Sequence, residues 1–485
     1  MGTRAVGAGA GAAADRPVAA TSAVDPGPPA DHDAPASDRD AEAAVEAPVA
    51  LYVHVPFCVS QCPYCDFVVY AGAAARGPRS RIGTFLGALA TELDLRADAL
   101  DVRFGPFVSA EPPLPTEPPL PTEPPPPAGT APPAAHRSLP AVRPPLESLY
   151  LGGGTPSLAG GAAIGEIVAT VRARFGLTPD AEVSLECNPG RDERGAAAGW
   201  HAAGVNRLSI GAQSFDPAEL RRLGRRHGPE DIAATVEEAR AAGISSVSLD
   251  LLYDLPGQDL ASWMATLDDA LALEPDHLSL YALTLDDPDA EGLTGLDGDH
   301  LPTPAGARRW RDRARAEQDE DRAAAMYHHA THRLAEAGWR GYEVSSWALH
   351  GHESRHNLAY WRRRPYEAVG PGAHAFDGVA RRWNAARLEG YLAALAPPSG
   401  ARPRLPPGGS EHLTPETAMA ETVILGLRTD EGVPHDLALR PPLSAVFGWA
   451  LAAELLEVTG EGLAQRVRLT TRGRLLSNEL FGRLL

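Results

Sequence analysis

The chain has 485 residues, room for two or three domains, and 44% of them are hydrophobic, enough for real cores. A formal net charge of −19 argues against nucleic acid or an anionic membrane surface as the main partner. The basic residues are all arginine, which excludes a lysine Schiff base, a P-loop lysine and pyridoxal phosphate chemistry.

Residues 1–48 are rich in Ala, Gly, Pro and Asp and almost without large apolar side chains. They cannot bury enough surface to offset ordering entropy, so a disordered tail is expected. The tail lacks a basic region followed by an apolar core, so no secretion signal is expected in it. No apolar run is long enough for a transmembrane segment.

A short apolar run at 51–57 predicts the first strand. It leads directly into Cys58, Cys62 and Cys65, at C-x3-C-x2-C spacing. Three thiolates at one end of a sheet can hold three irons of a four-iron cluster and leave the fourth open. The alternatives are a zinc knuckle with an unseen fourth ligand, or plain core cysteines. Structural zinc sites usually use two ligand pairs, and no second pair follows. The fourth cysteine, Cys187, stands alone. That is no disulfide framework, and it fits a reducing, cytoplasmic setting.

Residues 81–100 carry apolar positions at helical spacing. Sixteen prolines then fall between Pro106 and Pro145, including the tandem repeat PPLPTEPPLPTE at 112–123. This predicts a solvated, disordered insertion at about 105–146 that lengthens a strand connection. Nothing supports reading it as an SH3-type ligand.

From 147 the texture changes. Apolar runs at 147–153, 182–187, 207–214, 247–256 and 277–284 alternate with helical patterns such as 165–176 and 230–243. With 51–57 this makes six strand–helix units, and such alternation predicts a parallel sheet with right-handed crossovers. Six are too few to close an eight-stranded barrel. The expected fold is α/β, a partial (β/α)6 barrel over 49–290 with its chemistry beyond the carboxyl ends of the strands. Residues 286–320 are acidic, Gly- and Arg-rich and poorly patterned, so 291–322 is expected to be a surface excursion. A helix at 323–338 opens an aromatic and polar region reaching 396. A Pro/Gly linker follows at about 397–409. The remainder, 410–485, predicts a smaller, mainly helical C-terminal domain.

Unusual polar residues fall at the ends of the predicted strands. Gly152, Gly153 and Gly154 with Thr155 and Pro156 follow the second. Their backbone N–H groups are expected to approach a ligand carboxylate. Glu186 ends the third strand, Gln213 the fourth and Asp250 the fifth, and Arg225 is expected in the helix after the fourth. Glu186 or Asp250 suits ribose hydroxyls, and Arg225 suits a carboxylate in its two-pronged fork. Singly, each reads equally well as a satisfied polar residue. At one rim they make a pocket with charged and hydrogen-bonding groups.

Together CVSQCPYC, GGGTP, LECNPG, RLSIGAQSF, DLLYDLPGQ, HNLAYW and GPGAHAF resemble the radical S-adenosylmethionine (SAM) family. Within it they resemble the branch of the oxygen-independent coproporphyrinogen III dehydrogenase and its relative, the HemW-type heme chaperone. The resemblance covers about 49–100, 146–290 and 323–485. It implies a [4Fe-4S] cluster on Cys58, Cys62 and Cys65, with SAM chelated at the open iron. It implies cofactor contacts from Tyr52, Tyr64, Gly154 and Glu186. Thr155, Gln213, Arg225 and Asp250 would line the adjoining site.

Two features separate the branches. The dehydrogenase carries a fourth cysteine two residues after the triplet, and here that position is Phe67. HNLAYW matches the heme-chaperone signature. Through it the resemblance implies heme at His356, Asn357, Tyr360 and Trp361, with His374 as a second candidate ligand. Taken alone, His356 reads more readily as a packed histidine. Arg355, Arg362, Arg363 and Arg364 could meet heme propionates, although an arginine run is usually only solvated. The heme chaperones pass heme to acceptor hemoproteins, typically respiratory enzymes at the cytoplasmic membrane. The implied partners are heme, such acceptors and an electron donor for the cluster. The alternative activity is the decarboxylation of coproporphyrinogen.

Overall fold

The computed structural model describes residues 45–108, 142–194, 196–397 and 400–484. Most of the expected N-terminal tail lies outside them, as does the body of the Pro-rich insertion with its tandem repeat.

The six predicted runs form β1 (Ala50–Val55), β2 (Leu146–Gly153), β3 (Leu177–Cys187), β4 (Arg207–Gln213), β5 (Ser246–Tyr253) and β6 (His277–Ala282). All six are parallel neighbours in chain order. The two-residue period of a strand sorts their side chains. Leu51, Val53, Leu149, Leu151, Leu185, Leu208, Ile210, Leu249 and Leu278 are buried in the main core, each worth about 2 kcal/mol relative to exposure. The alternate positions Tyr150, Glu186, Ser209, Asp250 and Ser279 line a cavity inside the sheet.

Helices cover the outer face. In α1 (Ile82–Phe104), Phe85, Ala88, Leu89, Leu93, Ala97 and Leu100 recur at three- and four-residue intervals and are buried. α2 (Gly160–Arg174), α3 (Ala197–Ala202), α4 (Pro217–Arg222), α5 (Pro229–Ala241) and α6 (Leu260–Ala272) fill the crossovers. α3 and α4 have only six residues each, too short for a periodicity to show.

The sheet does not stop at six strands. β7 (Arg340–Gly341) and β8 (Ser346–Ala348) extend it antiparallel beyond β6. On the other side β9 (Tyr366–Val369) lies parallel to β1, followed by antiparallel β10 (His374–Phe376), β11 (Ala380–Asn384) and β12 (Gly408–His412). The order is β12-β11-β10-β9-β1-β2-β3-β4-β5-β6-β8-β7, an open sheet of twelve strands. The partial barrel is therefore as expected, but the aromatic region after 338 widens it, and the last residues of the expected linker form β12.

The stretch expected as a surface excursion holds α7 (Ala305–Arg315), with Arg311 and Ala314 buried. Its arginines hid the buried stripe from a reading of hydrophobic period. α8 (Glu320–Glu336) follows, and α9 (Arg355–Trp361) packs against β2. After α10 (Leu388–Leu395), the C-terminal unit begins with α11 (Pro415–Leu427). Its separate core includes Val423, Leu427, Phe447, Leu455, Val467, Leu469 and Leu480. It is mainly helical, yet β13 (Val433–Pro434), β14 (Leu456–Thr459) and β15 (Arg466–Leu469) form an antiparallel sheet in the order β13-β15-β14. Strands of two to four residues leave too little alternation to be seen in advance. Among the described residues no helix is long and apolar enough to cross a membrane.

Candidate functional site

Just past β1, Phe57–Cys58 pairs with Tyr70–Ala71, which fixes both ends of the cysteine loop. A turn inside it joins the Cys65 N–H to Cys62 O at 3.2 Å. Cys58, Cys62 and Cys65 all line a cavity of about 790 Å³. Cys58 Sγ lies 3.1 Å from Thr155 Oγ1, and Arg225 Nη1 donates to Cys62 Sγ at 3.7 Å. Burial pushes the Cys58 thiol up to about 12 and raises Cys65 as well. Cys58 and Cys65 are therefore held toward the protonated form until a cationic partner displaces the protons. Among the described residues, no three His, Cys, Asp or Glu side chains converge on a single metal ion. Three thiols on one loop suit a cluster in which each sulfur bonds its own iron.

The glycine loop corrects an expectation. Its N–H groups are engaged within the protein rather than offered to a ligand. Gly153 donates to Glu186 Oε2 at 2.9 Å, Gly154 to Val55 O at 2.9 Å and Thr155 to Phe57 O at 2.7 Å. Glycine is needed at 154 for another reason: a Cβ there would stand 2.7 Å from Phe57 O. The loop thus docks the end of β2 against the start of the cysteine loop.

Glu186 accepts from the Tyr150 hydroxyl at 2.9 Å as well as from Gly153. Burial and then the nearby Asp250 carboxylate raise it to about 7. Burial raises Asp250 too, although Ser209 Oγ donates to it at 3.0 Å. Two carboxyls in one cavity, both held above their usual range, would take a cation or hydroxyl donors.

Arg225 is not in a helix. α4 stops at Arg222, and Arg225 follows Gly224 in the loop before α5. Its Nη2 donates to Asn188 Oδ1 at 2.5 Å and to Gly211 O at 2.6 Å. Burial alone would lower this guanidinium, but Tyr64 and Cys62 beside it reverse that, and the net shift is upward. Its Nε is buried without a hydrogen-bond partner among the described residues, a donor that a ligand oxygen would satisfy. Gln213 lines the same cavity from the left-handed end of β4, at φ 68°. Tyr64 is on the cavity wall and packs 6.4 Å from Trp310. Tyr52, expected beside the cofactor, is not on the wall: its hydroxyl lies 3.0 Å from His54 Nδ1.

The expected heme residues separate. His356 is buried, with Nδ1 2.9 Å from Ser148 Oγ and Nε2 2.7 Å from the Tyr360 hydroxyl. Both ring nitrogens are thus engaged inside the protein, and burial lowers the imidazole to about 3, so it is held neutral. Asn357 does line the cavity. Trp361 instead carries Arg428 over its ring at 4.8 Å. The arginines expected for propionates are paired: Arg355 with Asp180, Arg362 with Glu431, Arg363 with Glu421 and Arg364 with Glu147. His374 lies on β10, with a side chain 31% exposed and Nε2 2.8 Å from Asp299 Oδ2.

Sequence reasoning missed three residues that organise the site. Asn188 joins Thr155 to Arg225 and was visible only as part of LECNPG. Glu182 accepts the N–H groups of Arg355 and His356 at 2.9 and 3.1 Å, capping α9. Arg311 reaches the cysteine loop from α7.

Residues 137–270 match the Radical SAM superfamily model, and 413–476 match the HemN C-terminal domain. The chain is 36% identical to the heme chaperone HemW of Mycobacterium tuberculosis, over 90% of this chain and 95% of that one. It is 33% identical to the mitochondrial radical S-adenosyl methionine domain-containing protein 1 of Bos taurus, over 85% and 81%. The solved structure of the coproporphyrinogen III oxidase HemN, a radical SAM enzyme of Escherichia coli, superposes with a TM-score of 0.65 over 90% of each chain at 22% identity, a likeness of fold. Identity of that level along nearly the whole length places the chain in the radical SAM superfamily, as a member of the family of HemW heme chaperones.

Proposed function

We propose that this chain holds a [4Fe-4S] cluster on Cys58, Cys62 and Cys65 with SAM against it, binds heme, and passes that heme to acceptor hemoproteins in the cytoplasm. Cys58 is steadied by Thr155 and Cys62 by Arg225. Arg225, with its unpartnered Nε, would hold a cofactor carboxylate, while Glu186 and Asp250 would take hydroxyls and balance positive charge. When bound, the cluster and SAM would supply one-electron chemistry, and the protein's part is to orient and enclose them. For heme, His374 is the better ligand because its imidazole reaches the surface and His356 is sealed in. A respiratory acceptor at the membrane and an electron donor complete the set of partners.

The observation that carries this reading over a decarboxylase is Phe67. It is 61% exposed and lines the cavity, where the dehydrogenase pattern has a cysteine. A phenyl ring can neither transfer a proton nor do thiol chemistry. The test is anaerobic reconstitution followed by titration with heme, then with coproporphyrinogen. Retained heme absorption without carbon dioxide release is expected. Carbon dioxide release from coproporphyrinogen, without heme retention, would replace the chaperone with the dehydrogenase.

A further inference from the structure

Arg311 holds the cysteine loop from the side of α7. Arg311 on α7 has only 6% of its side chain exposed. Its Nε donates to Pro63 O at 3.0 Å, its Nη2 to Cys65 O at 2.9 Å, and the same nitrogen lies 2.8 Å from Asp66 Oδ1. Its Nη1 donates to Asp286 O at 2.7 Å, tying the loop to the segment after β6. Next to it, Trp310 packs against Tyr64 and donates to Arg222 O at 3.0 Å. A flat guanidinium with five fixed donors can bridge these points at once, and a lysine ammonium cannot.

We propose that Arg311 is the positioning residue of the cluster site. It fixes the run from Pro63 to Asp66, so that Cys62 and Cys65 stay turned to the cavity with Cys58. It also neutralises Asp66, a carboxylate one residue from a cluster ligand. The charge argument rests on the cluster reading above, whereas the argument about loop order does not. Outer contacts of this kind are typically worth 10- to 100-fold in metal retention, and uncompensated negative charge beside a cluster lowers its reduction potential.

The test compares Arg311→Gln and Arg311→Lys with Arg315→Gln, a neighbour on the same helix that bonds Leu285 O. Three quantities are read in the full chain: the rate of iron loss to a chelator, the midpoint potential followed by electron paramagnetic resonance, and, in cluster-free protein, the rate of iodoacetamide alkylation at Cys62 and Cys65. Arg311→Gln is expected to lose iron roughly tenfold faster or more, to have a more negative potential, and to be alkylated faster. Arg311→Lys, which keeps the charge but not the fork, should lose iron quickly at a near-normal potential. Arg315→Gln should match the parent. Parent-like iron loss and alkylation in Arg311→Gln, or the same changes in Arg315→Gln, would overturn the proposal. If the parent itself takes up no cluster, the functional reading fails, and the alkylation comparison still decides the role of Arg311.

Discussion

Ser148 Oγ lies 2.9 Å from His356 Nδ1, which fastens the first residue of HNLAYW to a strand of the barrel. Glu182 holds the backbone of the same residue from the next strand. The first residue of the hexapeptide that most resembles a heme signature is thus packed onto the barrel. His356→Ala is expected to destabilise the fold by about 2–4 kcal/mol, from a vacated volume and two orphaned hydroxyls. Heme absorption in the folded fraction should be unchanged, whereas His374→Ala should shift it. Difference spectra of both variants check this, and a shift confined to His356→Ala would restore the motif as the ligand.

The buried histidines make stability depend on acid. Burial holds His356 near 3, and His54 and His227 near 4, all below the usual 6.5. An unfolded chain takes up these protons first. Their contribution is therefore complete above about pH 6.5 and is lost as pH falls toward 4. Each costs about 1.4 kcal/mol per pH unit across that window. Urea unfolding of cluster-free protein at pH 7, 6 and 5 reads the slope, and His356→Asn should make it shallower. A flat profile would mean these imidazoles are hydrated.

Glu186 gives ligand affinity a pH dependence of the same sign. Its carboxyl is raised to about 7 by burial and Asp250, so at pH 6 it is mostly protonated. A bound cation favours the ionised form, so affinity for SAM should rise with pH up to about 7 and then level. S-adenosylhomocysteine, which lacks the sulfonium charge, should show a weaker slope, and Glu186→Gln should abolish it. Calorimetric titration from pH 5.5 to 8 provides the measurement.

Two glycines should respond in opposite directions. Gly154→Ala places a methyl 2.7 Å from the Phe57 carbonyl oxygen, and a loss of about 1–3 kcal/mol is expected. Gly83→Ala, near the start of α1 with open space around it, should gain up to about 1 kcal/mol. Chemical denaturation of both compares the two. A neutral Gly154→Ala would show that the turn after β2 can move.

The parallel strands were readable because each shows its own alternation and pairs with its neighbour in the chain. The cysteine triplet was readable because its spacing is local. What stayed hidden was long-range partnership. Asp299 meets His374 75 residues later, and Glu182 caps a helix 174 residues away. The arginine-rich α7 looked solvated, because one buried guanidinium among exposed ones leaves no mark on composition. The glycine run was read as a close approach to a ligand, whereas the group against Gly154 is the protein's own backbone. Arg225 could not be placed because six residues of α4 carry no readable period.

The Pro-rich insertion leaves the barrel after α1 and returns before β2, and Arg143 clasps the two ends. Its N–H reaches Pro106 O at 3.3 Å, and its side chain holds Asp101, Arg174 O and Phe175 O from the buried face. The clasp holds together the described residues that flank the insertion in the chain. Once the ends of a flexible segment are held together, doubling its length costs only about 0.6 kcal/mol in closure entropy. A tag spliced into the sequence between residues 109 and 141 is therefore expected to change the unfolding free energy by less than about 1 kcal/mol.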